Sequence, residues 1–294
     1  MSELRTRLSD VLFGPESGAR LLAVHTGFAV LLGARIALGP YRGLAATPDG
    51  LFDPVAVLGW MSSMPSSGTI TVIQVVGVVA ALAAVLRKQP RLAFAIAWLC
   101  LLVLAALRGS RGKVLHNDLL LLWAAVPFLL APLHARWDDR RPRRDLGWPV
   151  RSSMAIVAAI YALAGFHKLQ TSGIDWVFGD NVRYVLLWGS PAGPTWESLR
   201  GWVSDHAWAY KGTGAFILGV ELMFPLALLW RRVQPWFAAA AVSLHVATYL
   251  FLGLDYWAWA LAVVLLFVDW PAAVDRVRRT ASAASTTATT SAVP

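Results

Sequence analysis

The chain has 294 residues, of which 57% are hydrophobic and only 15% are charged. Soluble domains carry about 25% charged residues, so this composition excludes an ordinary soluble protein and predicts a polytopic membrane protein. The net charge of +9 reflects an excess of lysine and arginine, which in membrane proteins sets the orientation and contacts anionic headgroups. We find no nucleic-acid motif in the sequence, and we therefore expect membrane lipid, and no nucleic acid, as a partner.

Apolar runs recur along most of the chain and predict an all-α integral membrane bundle of about eight spans, with no large soluble domain. The predicted spans cover residues 20–39, 68–86, 92–107, 119–133, 152–169, 212–230, 235–252 and 257–267. Several are at the short end of the roughly 17–25 residues that a crossing needs, so seven or nine spans remain alternatives. The predicted division is an N-terminal segment (1–19), a transmembrane domain (20–270) and a tail (271–294), disordered from Thr280 onward.

Three connecting segments have marked compositions. Residues 40–67 are rich in Gly, Pro and Ser, which indicates an interfacial segment. Residues 136–151 form an arginine-rich loop, and the tryptophan-rich segment 170–211 is typical of an aromatic belt and amphipathic enough to form a lid on the membrane. With eight spans, most Lys and Arg residues fall on the side of both termini, which predicts that both termini are cytoplasmic. We expect a multi-pass protein of the bacterial cell membrane.

In this topology the polar residues of the spans gather in the outer leaflet. They are Arg35, His116, Asn117, Lys168, Glu221 and His245. A charged side chain at the bilayer centre costs about 2.5–3.5 kcal/mol on insertion scales, and such residues usually mark a functional site. Scattered residues would not often meet in one leaflet, so the grouping predicts a site there.

Lys168 is the strongest candidate for a catalytic residue. Tyr161, Ala164, Gly165 and Lys168 share one helix face at spacings of three and four. Small residues beside the lysine let another helix approach closely. Burial of the amine would favour its neutral form, as a catalytic base requires. The alternative is that Lys168 extends to the interface beside Trp176 as an anchor.

Glu221 and residues 116–118 (His-Asn-Asp) also admit two interpretations. Glu221 is either part of a site, paired with Lys168 or Arg35, or a structural acid. Asn and Asp are preferred helix N-caps, so residues 116–118 first predict a cap for span four. The histidines lack the spacing of a metal site, and we expect no metal.

Residues 161–169 (Tyr-Ala-Leu-Ala-Gly-Phe-His-Lys-Leu), with residues 175–179 (Asp-Trp-Val-Phe-Gly), resemble a motif of the vitamin K-dependent gamma-carboxylase-like membrane proteins, the HTTM (horizontally transferred transmembrane) domain family. The resemblance covers roughly residues 20–270. Supporting similarities are residues 33–39 around Arg35, His116-Asn117, Glu221 with Pro225, and His245 with Phe267.

The resemblance implies reduced vitamin K, or menaquinol in a bacterial membrane, as the cofactor. In the carboxylase a lysine is thought to deprotonate the quinol, and reaction with oxygen then yields the base that drives carboxylation of glutamate. By resemblance, Lys168 is the base and His116 assists around the carboxylation step. We expect the cofactor site to include Arg35, Asn117, Tyr161, Trp176, Glu221 and His245.

Family membership does not fix the reaction, and three functions stay open. The first is a quinol-linked membrane enzyme with an outward-facing site that acts on a peptide or protein substrate or on the quinol alone. The second is a non-catalytic membrane protein or an accessory subunit, for example a partner in peptide maturation, in which the charged residues form structural pairs. The third is a small-molecule transporter, against which the absence of visible inverted repeats counts.

Overall fold

The computed structural model describes residues 9–111, 116–277 and 279–280 and is helical, with no β-strand in these ranges. The predicted all-α class is therefore confirmed. Five helical stretches are long and apolar enough to cross a membrane, or six if the bent pair Trp257–Phe267 and Trp270–Val277 counts as one crossing. The chain thus has the helices of a membrane protein, but the predicted count of eight spans is not confirmed.

The helices are numbered in chain order. They are α1 (Gly18–Leu38), α2 (Ser67–Val85), α3 (Pro90–Gly109), α4 (Leu119–Leu129), α5 (Arg144–Ser172), α6 (Asp175–Phe178), α7 (Asn181–Trp188), α8 (Pro194–Asp205), α9 (Ala207–Met223), α10 (Leu226–Leu229), α11 (Gln234–Leu252), α12 (Trp257–Phe267) and α13 (Trp270–Val277). Short 3-10 helices cover Arg42–Ala46, Asp49–Leu51, Ala56–Leu58 and Arg231–Val233. Helices α1, α2, α3 and α11 closely match predicted spans one, two, three and seven.

Local sequence explains where the first helices begin. The Ser17 hydroxyl accepts the Arg20 backbone N–H at the start of α1, and Ser66 accepts the Thr69 N–H at the start of α2. Serine is a preferred N-cap because its side chain satisfies a backbone donor that the helix leaves free. Pro90 occupies the first turn of α3, where its missing N–H costs nothing.

Helix α4 is shorter than the predicted fourth span. Its 11 residues extend about 16 Å at 1.5 Å per residue, about half of a hydrocarbon layer. Two arginines near the α2–α3 turn donate hydrogen bonds to backbone carbonyls of the segment after α4. Arg87 donates to the Leu133 carbonyl at 2.7 Å, and Arg91 donates to the Ala131 carbonyl at 3.0 Å. These bonds hold an irregular backbone where the sequence predicted a continuing helix.

Helix α5 is longer than the predicted fifth span and has 29 residues. It begins at Arg144, so the second half of the predicted arginine-rich loop is helical. The residue before it, Arg143, forms an isolated antiparallel bridge with Glu16, with backbone N–H···O distances of 3.0 and 3.2 Å. The N-terminal part of the chain is therefore fastened to the start of α5.

The predicted lid, residues 170–211, contains α6, α7, α8 and the first turn of α9. It has a small core of its own, in which Val182, Leu186 and Tyr210 are buried together. Helix α9 ends at Met223, earlier than predicted for span six. Pro225 explains this end, because a proline has no N–H to donate to the carbonyl four residues earlier.

Close helix contacts occur at glycines. A Cβ atom added to Gly77 on α2 would lie 2.8 Å from Cys100 Cβ on α3 and 2.8 Å from Ile36 Cδ1 on α1. On α5, a Cβ atom added to Gly165 would lie 3.0 Å from Glu221 Cβ on α9. The prediction that small residues beside Lys168 admit a neighbouring helix is confirmed.

Parts of the sequence-based interpretation fall outside the described residues. Of the predicted disordered tail, Thr280 is helical, and residues 281–294 lie outside the described ranges. The same holds for residues 1–8 and for 112–115 of the loop before α4.

The Gly165 contact can be tested by substitution. Gly165→Val is expected to lower the free energy of unfolding by about 1–3 kcal/mol, because the added atoms push α5 and α9 apart. Unfolding in mixed detergent micelles measures this change. Gly219→Val on α9 is the matched control, because no atom lies within 4 Å of the Cβ added there, apart from the chain neighbours and the nearby backbone of α9 itself. Equal losses in both variants would contradict the close approach.

Candidate functional site

Lys168 and Glu221 form an ion pair between α5 and α9. Lys168 Nζ lies 2.7 Å from Glu221 Oε1, and it also lies 5.3 Å from the centre of the Trp176 ring. The Glu221 side chain is only 8% exposed, whereas that of Lys168 is 22% exposed. Of the partners that the sequence left open for Glu221, the structure brings it to Lys168 and leaves Arg35 elsewhere.

The second carboxylate oxygen of Glu221 is unpaired. Among the described residues, Glu221 Oε2 is buried and has no hydrogen-bond partner, and the same is true of Trp176 Nε1. Buried polar atoms without partners are costly and uncommon, at about 1–3 kcal/mol each. Glu221 and Trp176 both contact Lys168. The Glu221 Oε2 acceptor and the Trp176 Nε1–H donor are therefore left for a molecule that binds beside the ion pair.

A second pair lies next along α5. The Tyr161 hydroxyl is 2.6 Å from His245 Nε2 on α11, and both residues are buried. The Tyr161 ring stacks on Phe224 with centroids 4.3 Å apart, and Phe224 is three residues after Glu221. Tyr161 therefore joins α11 to the same stretch of α9 that carries the ion pair.

Tyr256, in the turn between α11 and α12, connects the two predicted histidines. Its hydroxyl lies 2.7 Å from His116 Nε2. Its ring centroid is 5.6 Å from that of His116 and 5.6 Å from that of His245. Burial raises the pKa of the Tyr256 phenol above its ordinary value. Sequence reasoning missed this residue, although it stands beside a charged residue in a short turn between two apolar runs.

Arg35 is paired with two carboxylates, neither of which was predicted as its partner. It donates to Asp118 through Nε and to Asp255 through Nη1, and its side chain is only 2% exposed. Its guanidinium also lies 5.8 Å from the Trp257 ring centre. Asn117 Nδ2 donates to the Asp255 carbonyl at 2.8 Å. The buried arginine thereby ties α1 to the start of α4 and to the α11–α12 turn.

The predicted N-cap role of residues 116–118 is wrong in its hydrogen bonding. Asp118 occupies the N-cap position of α4, but its side chain makes no capping bond. The carboxylate goes to Arg35 because a full charge buried without a counter-charge costs more than an uncapped helix end.

All eight residues predicted for the site lie in three neighbouring groups, here called the polar cluster. The groups are Lys168 with Glu221 and Trp176; Tyr161 with His245, Tyr256 and His116; and Arg35 with Asp118, Asp255 and Asn117. Asn117 also joins the second group, since its carbonyl accepts the Trp259 Nε1–H bond at 2.8 Å and the Trp259 ring packs against His116.

Comparisons of this chain with models of protein families, with curated proteins and with solved structures find no match. In the part of the chain that the structure describes, no three His, Cys, Asp or Glu side chains lie together in a metal-binding arrangement.

The Arg35 network is expected to dominate the stability of the cluster. Asp118→Asn should lower the free energy of unfolding by about 3 kcal/mol, because loss of one partner leaves a buried charge poorly compensated. Chemical unfolding in detergent measures the loss.

Asp138→Asn is the matched control, because its ion pair with Arg136 is exposed, at 72% for Asp138, and should contribute less than about 1 kcal/mol. If the two variants were equally stable, Arg35 would not depend on Asp118.

Proposed function

We propose that this chain is an integral membrane protein that handles the hydroxyl protons of a lipid-soluble quinol. Lys168 acts as the base, as in the vitamin K-dependent gamma-carboxylase-like family that the sequence resembles. The observation that carries the proposal is the Lys168–Glu221 pair at 2.7 Å, with the second Glu221 oxygen buried and unpaired.

The pair offers a route to a neutral amine. A carboxylate at hydrogen-bond distance stabilises the ammonium form of Lys168, and an ammonium cannot take up a proton. Transfer of one proton from Nζ to Glu221 Oε1 gives a neutral amine and a neutral acid and leaves the net charge of the pair at zero. Lys168 can then take up a hydroxyl proton at Nζ, and the Trp176 Nε1–H can donate a hydrogen bond to the oxygen that has lost this proton.

The residues around the pair suit an amphiphilic ring compound. Glu221 Oε2 accepts one hydroxyl hydrogen bond, and Trp176 Nε1 donates one. An apolar cavity of about 440 Å³ lies between α7, α9 and α11. It includes Ile217, one turn before Glu221, and Leu244, next to His245. Such a cavity accommodates hydrocarbon beside the polar groups. A bound quinol would supply the acidic hydroxyl and two electrons, and dissolved oxygen would be the two-electron acceptor in its oxidation to the quinone.

A loss-of-function test follows from the role of Lys168. Lys168→Ala is expected to lower the rate of quinol oxidation by the purified protein at least about 100-fold, the usual range for loss of a general base. Lys88→Ala is the control, because Lys88 is exposed in the α2–α3 turn. Mass spectrometry of the wild type should also find co-purified naphthoquinone. An unchanged oxidation rate in Lys168→Ala would refute the role of base.

A second candidate function is a non-catalytic membrane protein or accessory subunit. It is favoured by the fact that Arg20, Arg35 and Lys168, the three Lys and Arg residues within the predicted spans, all have carboxylate partners. In this case the ion pair is structural, and apolar residues of similar size should replace it without loss.

The double variant Lys168→Met with Glu221→Leu separates the two candidates. If the pair is structural, the variant keeps its thermal stability in detergent within about 1 kcal/mol and keeps every activity of the wild type. If Lys168 is the base, the variant is as stable but does not oxidise quinol. The single variant Glu221→Leu, which leaves Lys168 without its counter-charge, should be the least stable of the series.

A further inference from the structure

A cavity away from the polar cluster has the polarity of a lipid site. It has a volume of about 680 Å³ and lies between the end of α1, the Pro40–Gly43 turn and the first half of α2. Its polar lining comes from Arg42, Thr71 and Gln74 at one end. Val78 and Val79 line it further along α2, about 6–7.5 Å beyond Gln74 at the helical rise of 1.5 Å per residue.

Gln74 supplies an unpaired acceptor. The residue is buried, and its Nε2 donates to the Ile36 carbonyl at 3.0 Å. A carbonyl can only accept, so the amide nitrogen must face Ile36 and the amide oxygen must point elsewhere. Gln74 Oε1 is buried and has no partner in the described ranges. It therefore requires a donor, either an N–H or an O–H group, from a molecule in the cavity.

Arg42 supplies a cation at the same end. Its side chain is exposed, and within the described residues it takes part in no ion pair or side-chain hydrogen bond. A guanidinium binds phosphate through two parallel hydrogen bonds. This end of the cavity thus has a cation, Arg42, that can bind an anion and an acceptor, Gln74 Oε1, that can bind a donor. The wall of the cavity further along α2 is formed by valines.

We propose that this cavity binds one phospholipid whose headgroup carries an N–H or O–H donor, such as phosphatidylethanolamine. Arg42 binds the phosphate, Gln74 Oε1 accepts the headgroup hydrogen bond, and one acyl chain lies along Val78 and Val79. Phosphatidylcholine has the same phosphate and chains but no donor in its headgroup, so it leaves Gln74 Oε1 unpaired. The site therefore selects between two abundant lipids by a single hydrogen bond.

The test is lipid retention by the purified full chain. The protein is reconstituted in vesicles that contain equal amounts of phosphatidylethanolamine and phosphatidylcholine, and it is then extracted in detergent. Native mass spectrometry measures the mass of the protein with the lipid that it retains. The wild type should retain one phosphatidylethanolamine, with about tenfold preference over phosphatidylcholine. Arg42→Ala should lower retention of both lipids, whereas Gln74→Leu should remove only the preference. Soluble glycerophosphoethanolamine should not displace the lipid, because it lacks the chains.

Two tryptophan variants, one of which fills the cavity, test the site while Arg42 and Gln74 stay in place. Val75→Trp should lower retention about tenfold, because Val75 lines the cavity. Val72→Trp is the control, because Val72 is 61% exposed on the same helix and does not line it. Equal retention of the two lipids by the wild type, or equal retention by the two tryptophan variants, would overturn the proposal. Displacement by the soluble headgroup would show a phosphate site without a lipid chain.

Discussion

The free-energy cost of a charge in an apolar environment determines how the helices of this molecule pack around Arg35 and Lys168. Arg35 and Lys168 stand in helices long and apolar enough to cross a membrane, and each is brought against a carboxylate from another part of the chain. The Arg35 network fixes α1 to the start of α4 and to the α11–α12 turn. The Lys168 pair fixes α5 to α9. Since neither cation is tolerated alone, the two sets of contacts decide which helices are neighbours at this end of the bundle.

The two networks differ in what they can do. Arg35 is opposed by two carboxylates, so it remains charged and its role is to hold helices in place. Lys168 is opposed by one buried carboxylate, and this pair carries no net charge in either proton position. Transfer of a proton from Lys168 to Glu221 would leave both groups neutral, whereas one carboxylate beside Arg35 would stay charged if Arg35 gave its proton to the other.

Sequence patterns predicted the parts of the molecule that depend on local residues. Hydropathy gave the bounds of α1, α2, α3 and α11, and the small residues beside Lys168 predicted the contact with α9. The partners of Arg35 were not predictable, because Asp118 and Asp255 are 83 and 220 residues away along the chain. Tyr256 was missed for the same reason. After α4 ends, the Ala131 and Leu133 carbonyls accept hydrogen bonds from Arg91 and Arg87, and hydropathy does not reveal these contacts.

The length of α5 links the site to the membrane itself. Its 29 residues extend about 43 Å, well beyond a hydrocarbon layer of about 30 Å, so the helix must tilt or project from the bilayer. Its start is held by the Glu16–Arg143 bridge, and Lys168 lies near its other end. The ion pair with Glu221 therefore lies near one end of a helix that a bilayer of ordinary thickness cannot enclose when the helix stands upright.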